Sequence, residues 1–304
     1  MQNKQTLSKP LVVMLLASLC CLLWGSAIPF INLGYRYFGV TSSDTATQIL
    51  FGGCRFFLAG LLTILFESVA QKKLARPKKT SWGNVVKLSL AQTIIQYVFF
   101  YIGVAHTASA KGAIIQGLQA FTSILIACFI FRSEKMNALK WIGGFIGVAG
   151  VVVVNWTKDG FGGGMRFIGE GFVIISMLAS ACSTGLIKKF GAYDSPVVMS
   201  GWEFMLGGAV MMIIGLLSGG RLHASNMLAY AVLLYLAMLS AVAYSIWAVL
   251  LRVNPVSRVA VYTFLQPIFG VFLSLTLVDR GSEAPLLRYA AALVLICVSI
   301  AVVN

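Results

Sequence analysis

Charge is what this chain lacks. Only 11% of its 304 residues are charged, against about 25% in soluble domains. That is too little polar surface to clothe a water-soluble fold of this length. Acid is scarcest, with nine Asp and Glu against 23 Lys and Arg, and there are two His. A Walker-type phosphate loop, a His-Glu-x-x-His helix and a Gly-x-Ser-x-Gly turn are all missing. ATPase, zinc-protease and serine-hydrolase chemistry are thereby excluded, and no polar cluster fit for an enzyme is visible. No catalytic residue, cofactor or metal site is expected. The six cysteines (Cys20, Cys21, Cys54, Cys128, Cys182 and Cys297) fall inside apolar runs without the paired spacing of a zinc site. They read as small packing residues.

What is present is hydrocarbon. The chain is 59% hydrophobic with a mean hydropathy of +0.90. Uncharged runs include Leu11–Tyr35, Leu88–Ala110, Gly112–Phe131, Trp141–Thr157, Gly171–Ile187, Ala224–Leu251, Val259–Val278 and Tyr289–Asn304. A span needs about 20 mostly apolar residues. Two further stretches hold one charge each: Thr45–Phe66 contains Arg55, and Val197–Ser218 contains Glu203. The runs are continuous rather than alternating, which excludes a barrel and predicts an all-α integral membrane protein with ten transmembrane helices. The first run follows Lys4 and Lys9 as in a signal peptide, but it continues past a typical core, so we read it as a retained first span.

A net charge of +14 in a soluble protein would point to nucleic acid. Here basic residues orient spans instead, and no nucleic-acid partner is expected. With the N-terminus inside, fifteen Lys and Arg fall in inside segments and seven outside, led by "QKKLARPKK". That bias puts both ends in the cytoplasm of a multi-pass protein of the inner or plasma membrane.

The chain also repeats itself. At an offset of 147, Leu118-Gln119 matches Leu265-Gln266, Tyr97 matches Tyr244, and Lys111 matches Arg258. At 148, "CRFFLAG" (Cys54–Gly60) lies on "WEFMLGG" (Trp202–Gly208), and at 149, Val154-Asn155 lies on Val303-Asn304. A Gly-rich linker over residues 158–170 separates a first unit, 1–157, from a second, 171–304. Five spans per unit is odd, so the second unit enters the membrane from the opposite side. Such inverted repeats are a common construction of secondary transporters.

The stretches "LLWGSAIPF", "CRFFLAGLL", "FYIGVAHTASAKGAIIQGLQAFTSIL" and "AVAYSIWAVLLRVNPVSRVAVYTFLQPIFGVFLSL" together resemble the ten-helix EamA-type permeases of the drug/metabolite transporter superfamily. The resemblance covers essentially the whole chain as two tandem copies. It implies inward and outward gates around a central cavity lined mainly by spans 1, 3, 4, 6, 8 and 9. A small organic solute (amino acid, amine or drug-like) would move by alternating access, outward rather than inward. The bilayer and the solute are then the partners, with protons or an exchanged solute as coupling candidates; oligomeric state is left open. An importer, a channel and a membrane-embedded enzyme are the other readings. Two departures stand out. The family's prolines in spans 4 and 9 appear as Ala120 and Pro267, so span 9 is expected to bend more. The family's Glu after span 4 is Glu134, but its match after span 9, in "VDRGSE", is lost.

Charges within a span are costly, about 2.5–3.5 kcal/mol on insertion scales. Arg55 and Glu203 sit at equivalent places in the two units, about 10 Å apart in depth if each lies seven residues into its helix. A direct salt bridge is not expected. Each either snorkels or bonds a neighbouring helix's backbone, or serves gating (Arg55) and proton coupling (Glu203). Among buried amides, Gln96, Gln116, Gln119 and Gln266 either bind solute or join helices. Trp24, Tyr101, Tyr244 and Trp247 lie deep in spans, where flat faces can hold an aromatic or cationic body. His106 can titrate near neutral pH, while Lys111 and Arg258 head spans 4 and 9 as candidate guards of the two mouths. Gly143, Gly147, Gly207 and Gly208 read as helix-packing positions.

Overall fold

The structure is a computed structural model, and it describes residues 5–41, 43–106, 115–155, 166–277 and 286–304. Among these the chain is all helix, in ten segments. They are α1 (Pro10–Phe38), α2 (Thr45–Gln71), α3 (Lys79–Gly103), α4 (Ile115–Ile130), α5 (Ala138–Asn155), α6 (Phe167–Phe190), α7 (Pro196–Leu217), α8 (Met227–Val253), α9 (residues 256–277) and α10 (Leu286–Val303). Six of them, α1, α2, α3, α6, α7 and α8, are each long and apolar enough to cross a membrane. Large apolar side chains such as Leu65, Phe145 and Val294 stand exposed on the outer faces, where only lipid is a suitable solvent.

Local signals set the ends. Asp44 accepts a hydrogen bond from Thr47 N–H at the start of α2, and Asn226 does the same for Leu228 N–H at α8. Gly39 closes α1 in the left-handed conformation, φ 65°. α3 departs from the expectation drawn from its uncharged run: it begins nine residues before Leu88, with Lys79 and Lys87 on exposed faces. Its middle, Ser89–Ile95, widens into π-turns.

α2 and α7 form the tightest seam. They run antiparallel, and glycine removes the side chain wherever the backbones meet. A methyl group on Gly208 would lie 2.3 Å from the backbone nitrogen of Phe57, and one on Gly60 2.4 Å from that of Met205. Leu50 faces Gly215, Gly53 faces Met212, and Ile64 faces Gly201, so each facing pair keeps one register along the seam. α5 and α10 pack the same way: Gly143 meets Val303, Gly150 meets Ile296, and Ser299 Oγ donates to the Gly143 carbonyl at 2.7 Å. Gly147 makes room for the ring of Phe264 on α9, and Gly207 for Thr93 on α3. Without a hydrophobic drive between helices in lipid, such close approach is what holds them.

α9 and α4 are both irregular at matching depth. In α9 a short helix ends in a 3₁₀ turn, Val261–Phe264, before Leu265–Leu277 continues. In α4 the regular stretch starts at Gln119, just after an i→i−3 bond from Leu118 N–H to the Ile115 carbonyl. The break in α4 occurs beside Ala120, so proline is not needed for it. Pro267 stands in the first turn of the continuing helix, where a missing N–H forfeits no helical bond.

Candidate functional site

The centre of the bundle is an aromatic core drawn from both halves. The Tyr97 and Tyr244 hydroxyls hydrogen-bond to each other at 2.7 Å. Trp24 packs on Tyr244 and on Trp247, ring centroids 5.0 Å apart in each case. Phe204 closes on Tyr244 at 4.8 Å, and Phe56 on Tyr97 at 4.2 Å. Tyr101 continues the row at 6.1 Å from Tyr97. Four of these side chains, Trp24, Tyr101, Tyr244 and Trp247, were expected from sequence to line the path, and the fold joins them in one group.

The two intramembrane charges flank this core. Arg55 is 2% exposed and donates from Nε to Ser240 Oγ on α8 at 3.1 Å. Glu203 is fully buried and accepts from Thr93 Oγ1 on α3 at 2.8 Å. The α2–α7 register sets Arg55 opposite Val210 and Glu203 opposite Leu62, seven residues apart, or about 10 Å. No ion pair joins them. The two contacts are counterparts across the repeat: Arg55 corresponds to Glu203, and Ser240 to Thr93, with Tyr97 and Tyr244 meeting between them.

Several buried polar atoms near this core have no hydrogen-bond partner: Trp24 Nε1, both amide atoms of Gln92, Gln96 Oε1, Tyr101 Oη and Glu203 Oε1. Buried polar atoms ordinarily pair. Gln92 and Gln96 lie one turn apart on α3, and Gln92 falls in its π-helical stretch, a deviation found frequently at functional sites. Gln116 donates to Ser176 Oγ at a long 3.4 Å. Gln119 and Gln266 are half-buried and hydrogen-bond to no other described side chain.

At the end of the bundle that carries the N-terminus, the helix ends are tied together. Glu134, in the α4–α5 turn, accepts from Val256 N–H and Ser257 N–H and from the Ser257 hydroxyl, capping α9. Lys140 holds the same carboxylate at 2.8 Å. Burial alone would raise the Glu134 pKa, but the hydrogen bonds from Lys140 and Ser257 outweigh it and hold the carboxyl below its ordinary value. Lys188 Nζ donates to the Asn254 carbonyl, Asn254 Nδ2 to Leu7 O, and Arg258 to Ser8 O at 3.2 Å. Arg258 therefore ties the N-terminal segment to α9. His106 sits exposed at the C-terminal end of α3, its Nδ1 2.8 Å from the Ile102 carbonyl. Lys111 lies outside the described residues.

The pattern of the EamA-like transporter family matches residues 11–156 and again residues 167–304. The chain belongs to the EamA-like transporter family. It is 26% identical to an uncharacterized transporter of Synechocystis sp., over 90% of this chain and 84% of that one. It is 26% identical to an uncharacterized transporter of Bacillus subtilis, over 95% and 90%. A probable amino-acid metabolite efflux pump of Escherichia coli is 25% identical over 87% and 86%. A solved crystal structure shares the fold at a TM-score of 0.76 and 16% identity, covering 95% of each chain. The protein is thus a multi-pass membrane transporter of two inverted five-helix repeats.

Sequence reasoning missed Gln92, Thr93 and Ser240. Gln92 carried a signal, since it stands one turn from Gln96 on the same span. Thr93 and Ser240 carried one only in hindsight, as a hydroxyl pair 147 residues apart.

Proposed function

We propose that this chain exports a small organic solute by alternating access around the Tyr97–Tyr244 contact. One observation carries the reading: side chains of both repeats, many of them polar and unpartnered, converge where the two repeats meet. A site there can face either side as the halves exchange arrangements. Trp24, Tyr244 and Trp247 supply an apolar wall, and Gln96, Gln116, Gln119, Gln266 and Tyr101 supply hydrogen bonds. The ties at Glu134 and Arg258 hold the N-terminal end shut, and releasing them opens it. Glu203, with one free carboxylate oxygen, is the coupling group. Both termini lie in the cytoplasm of the cell membrane, by the distribution of Lys and Arg. Residues 1–157 and 171–304 are the two moving units, and no chemical change is made to the solute. The Escherichia coli relative's name favours amino-acid-like solutes and outward movement.

Solute counterflow in proteoliposomes tests this. A carrier shows saturable flux stimulated by solute on the far side. Unsaturable flux means a channel, and a changed molecule means an enzyme. A thermal-shift screen of amino acids, polyamines, nucleosides and quaternary amines supplies the solute to load.

A further inference from the structure

We propose that Arg55 and Tyr101 form an anion subsite, one that takes the carboxylate of an organic solute whose apolar body lies along the neighbouring aromatic rings. The inference rests on the transporter reading and narrows it to a substrate class.

Arg55 is the reason. A guanidinium carries five N–H donors and no acceptor. Here one of them, Nε–H, reaches Ser240. Among the described residues no carboxylate pairs with Arg55, although it is 2% exposed and deep in α2, and Tyr101 is the other side chain its guanidinium engages. The face of Phe56 lies 5.1 Å from the guanidinium carbon. A buried charge left without its partner is strongly unfavourable. Glu203 is the carboxylate on the facing helix, but it sits seven residues along the seam and is engaged by Thr93.

Tyr101 is an independent observation pointing the same way. It is 4% exposed, and its hydroxyl engages the neighbouring Arg55 only loosely and has no other hydrogen-bond partner. Gly52 permits this position, since a methyl group there would fall 2.5 Å from the Tyr101 ring. The phenol oxygen can accept from the guanidinium, so the Tyr101 O–H and the remaining guanidinium N–H groups are the donors left without an acceptor. A carboxylate would supply those acceptors: its two oxygens can take a guanidinium fork and a phenol O–H at once, in charge-assisted bonds. From this point the rings of Phe100, Tyr97 and Phe56 lead to the Trp24–Tyr244–Trp247 cluster. The body of the solute is therefore aromatic or otherwise apolar.

The test uses the full chain in proteoliposomes as wild type, Arg55→Gln, Arg55→Lys and Tyr101→Phe. The probes are 3-phenylpropionate, its neutral amide 3-phenylpropanamide, and phenethylamine. Affinity is read from tryptophan fluorescence, and transport from counterflow. Wild type should bind the acid at least about tenfold more tightly than the amide, the weight of a hydrogen-bonded charge. Arg55→Gln should bring that ratio near one, and Arg55→Lys should keep part of it. Tyr101→Phe should weaken the acid about three- to tenfold while leaving the amide nearly unchanged. A wild type without acid preference, or an Arg55→Gln ratio equal to wild type, overturns the subsite. Should Arg55→Gln fail to fold, Tyr101→Phe decides, because it keeps the cation: equal loss of acid and amide counts against the proposal. Phenethylamine counterflow without acid preference removes the subsite and leaves transport standing. Acid preference without counterflow of any probe does the reverse.

Discussion

Arg55 and Glu203 occupy the same place in the two repeats and carry opposite charge. Each lies on the central seam, each reaches out of it to one hydroxyl, and the hydroxyls are themselves equivalent, Ser240 and Thr93. The frame is common to both halves while the chemistry is not. Backbone geometry at the seam is held by glycines that recur at the same offset, Gly53 with Gly201 and Gly60 with Gly208. In the proposed alternating access, symmetry of shape would let the two halves exchange roles. On the roles proposed above, difference of charge would let the two buried places respond to different partners, a proton at one and an anion at the other.

The shared frame should be the hardest part to alter. Gly60→Leu and Gly208→Leu each drive a side chain into the partner's backbone, at 2.4 and 2.3 Å for the first carbon alone. Neither neighbour is a flexible tip, so the helices must separate, and overpacking of this kind costs about 1–3 kcal/mol or more. We expect both variants to lose monodisperse, folded protein on size exclusion, and to about the same degree. Gly83→Ala, with nothing within 4 Å, should be silent. A large difference between Gly60→Leu and Gly208→Leu would break the equivalence of the halves.

This frame was largely legible in the sequence. Spans show as long uncharged runs because lipid tolerates little else, and the repeat offset was visible in Leu118-Gln119 and Leu265-Gln266. The site was legible only by residue type. Arg55 and Glu203 stood out because charge in a span is rare. Their partners did not, because a Ser or Thr in a span is ordinary until its contact is known, and these contacts cross 185 and 110 residues. The early start of α3 was hidden by Lys87, which ends an uncharged run without ending a helix. The break in α4 was hidden too, because it does not depend on proline.

Glu134 is a further difference between the halves, since its counterpart stretch in the second repeat has lost the match. Glu134→Ala leaves the Val256 and Ser257 N–H groups and Lys140 without their acceptor, a loss of about 1–3 kcal/mol. We expect the N-terminal end to open. Alkylation of a cysteine placed at Ser200, in a background without native cysteines, should then speed up about tenfold; an unchanged rate would count against the tie. The pH sense is fixed by its lowered pKa. A depressed carboxyl contributes its stability above the ordinary carboxylate range and loses it only as pH falls through the lower, folded value. The tie should therefore not respond between pH 6 and pH 8, both well above that range.

A pH response of transport in that window must come from elsewhere, and Glu203 is the test. Glu203→Gln keeps an oxygen for Thr93 and removes the ionisable group. If coupling runs through it, the variant should still fold and bind solute while its flux becomes flat from pH 6 to pH 8. A profile matching wild type would separate Glu203 from coupling and leave it as a helix-to-helix link, as Arg55–Ser240 is by geometry.

The smallest effect belongs at the point where the halves meet. In the Tyr97–Tyr244 pair either hydroxyl can donate, so neither residue is chemically privileged. Tyr97→Phe and Tyr244→Phe should each destabilise by about 0.6 kcal/mol, the average for a hydrogen bond between membrane helices. The double variant should cost little more than either alone, because the first substitution already breaks the bond. Thermal unfolding of the three variants measures this. Unequal single effects would mean that one hydroxyl has a further partner, and the unpartnered atoms of Gln92 and Gln96 on α3 are the nearest in sequence to supply it to Tyr97.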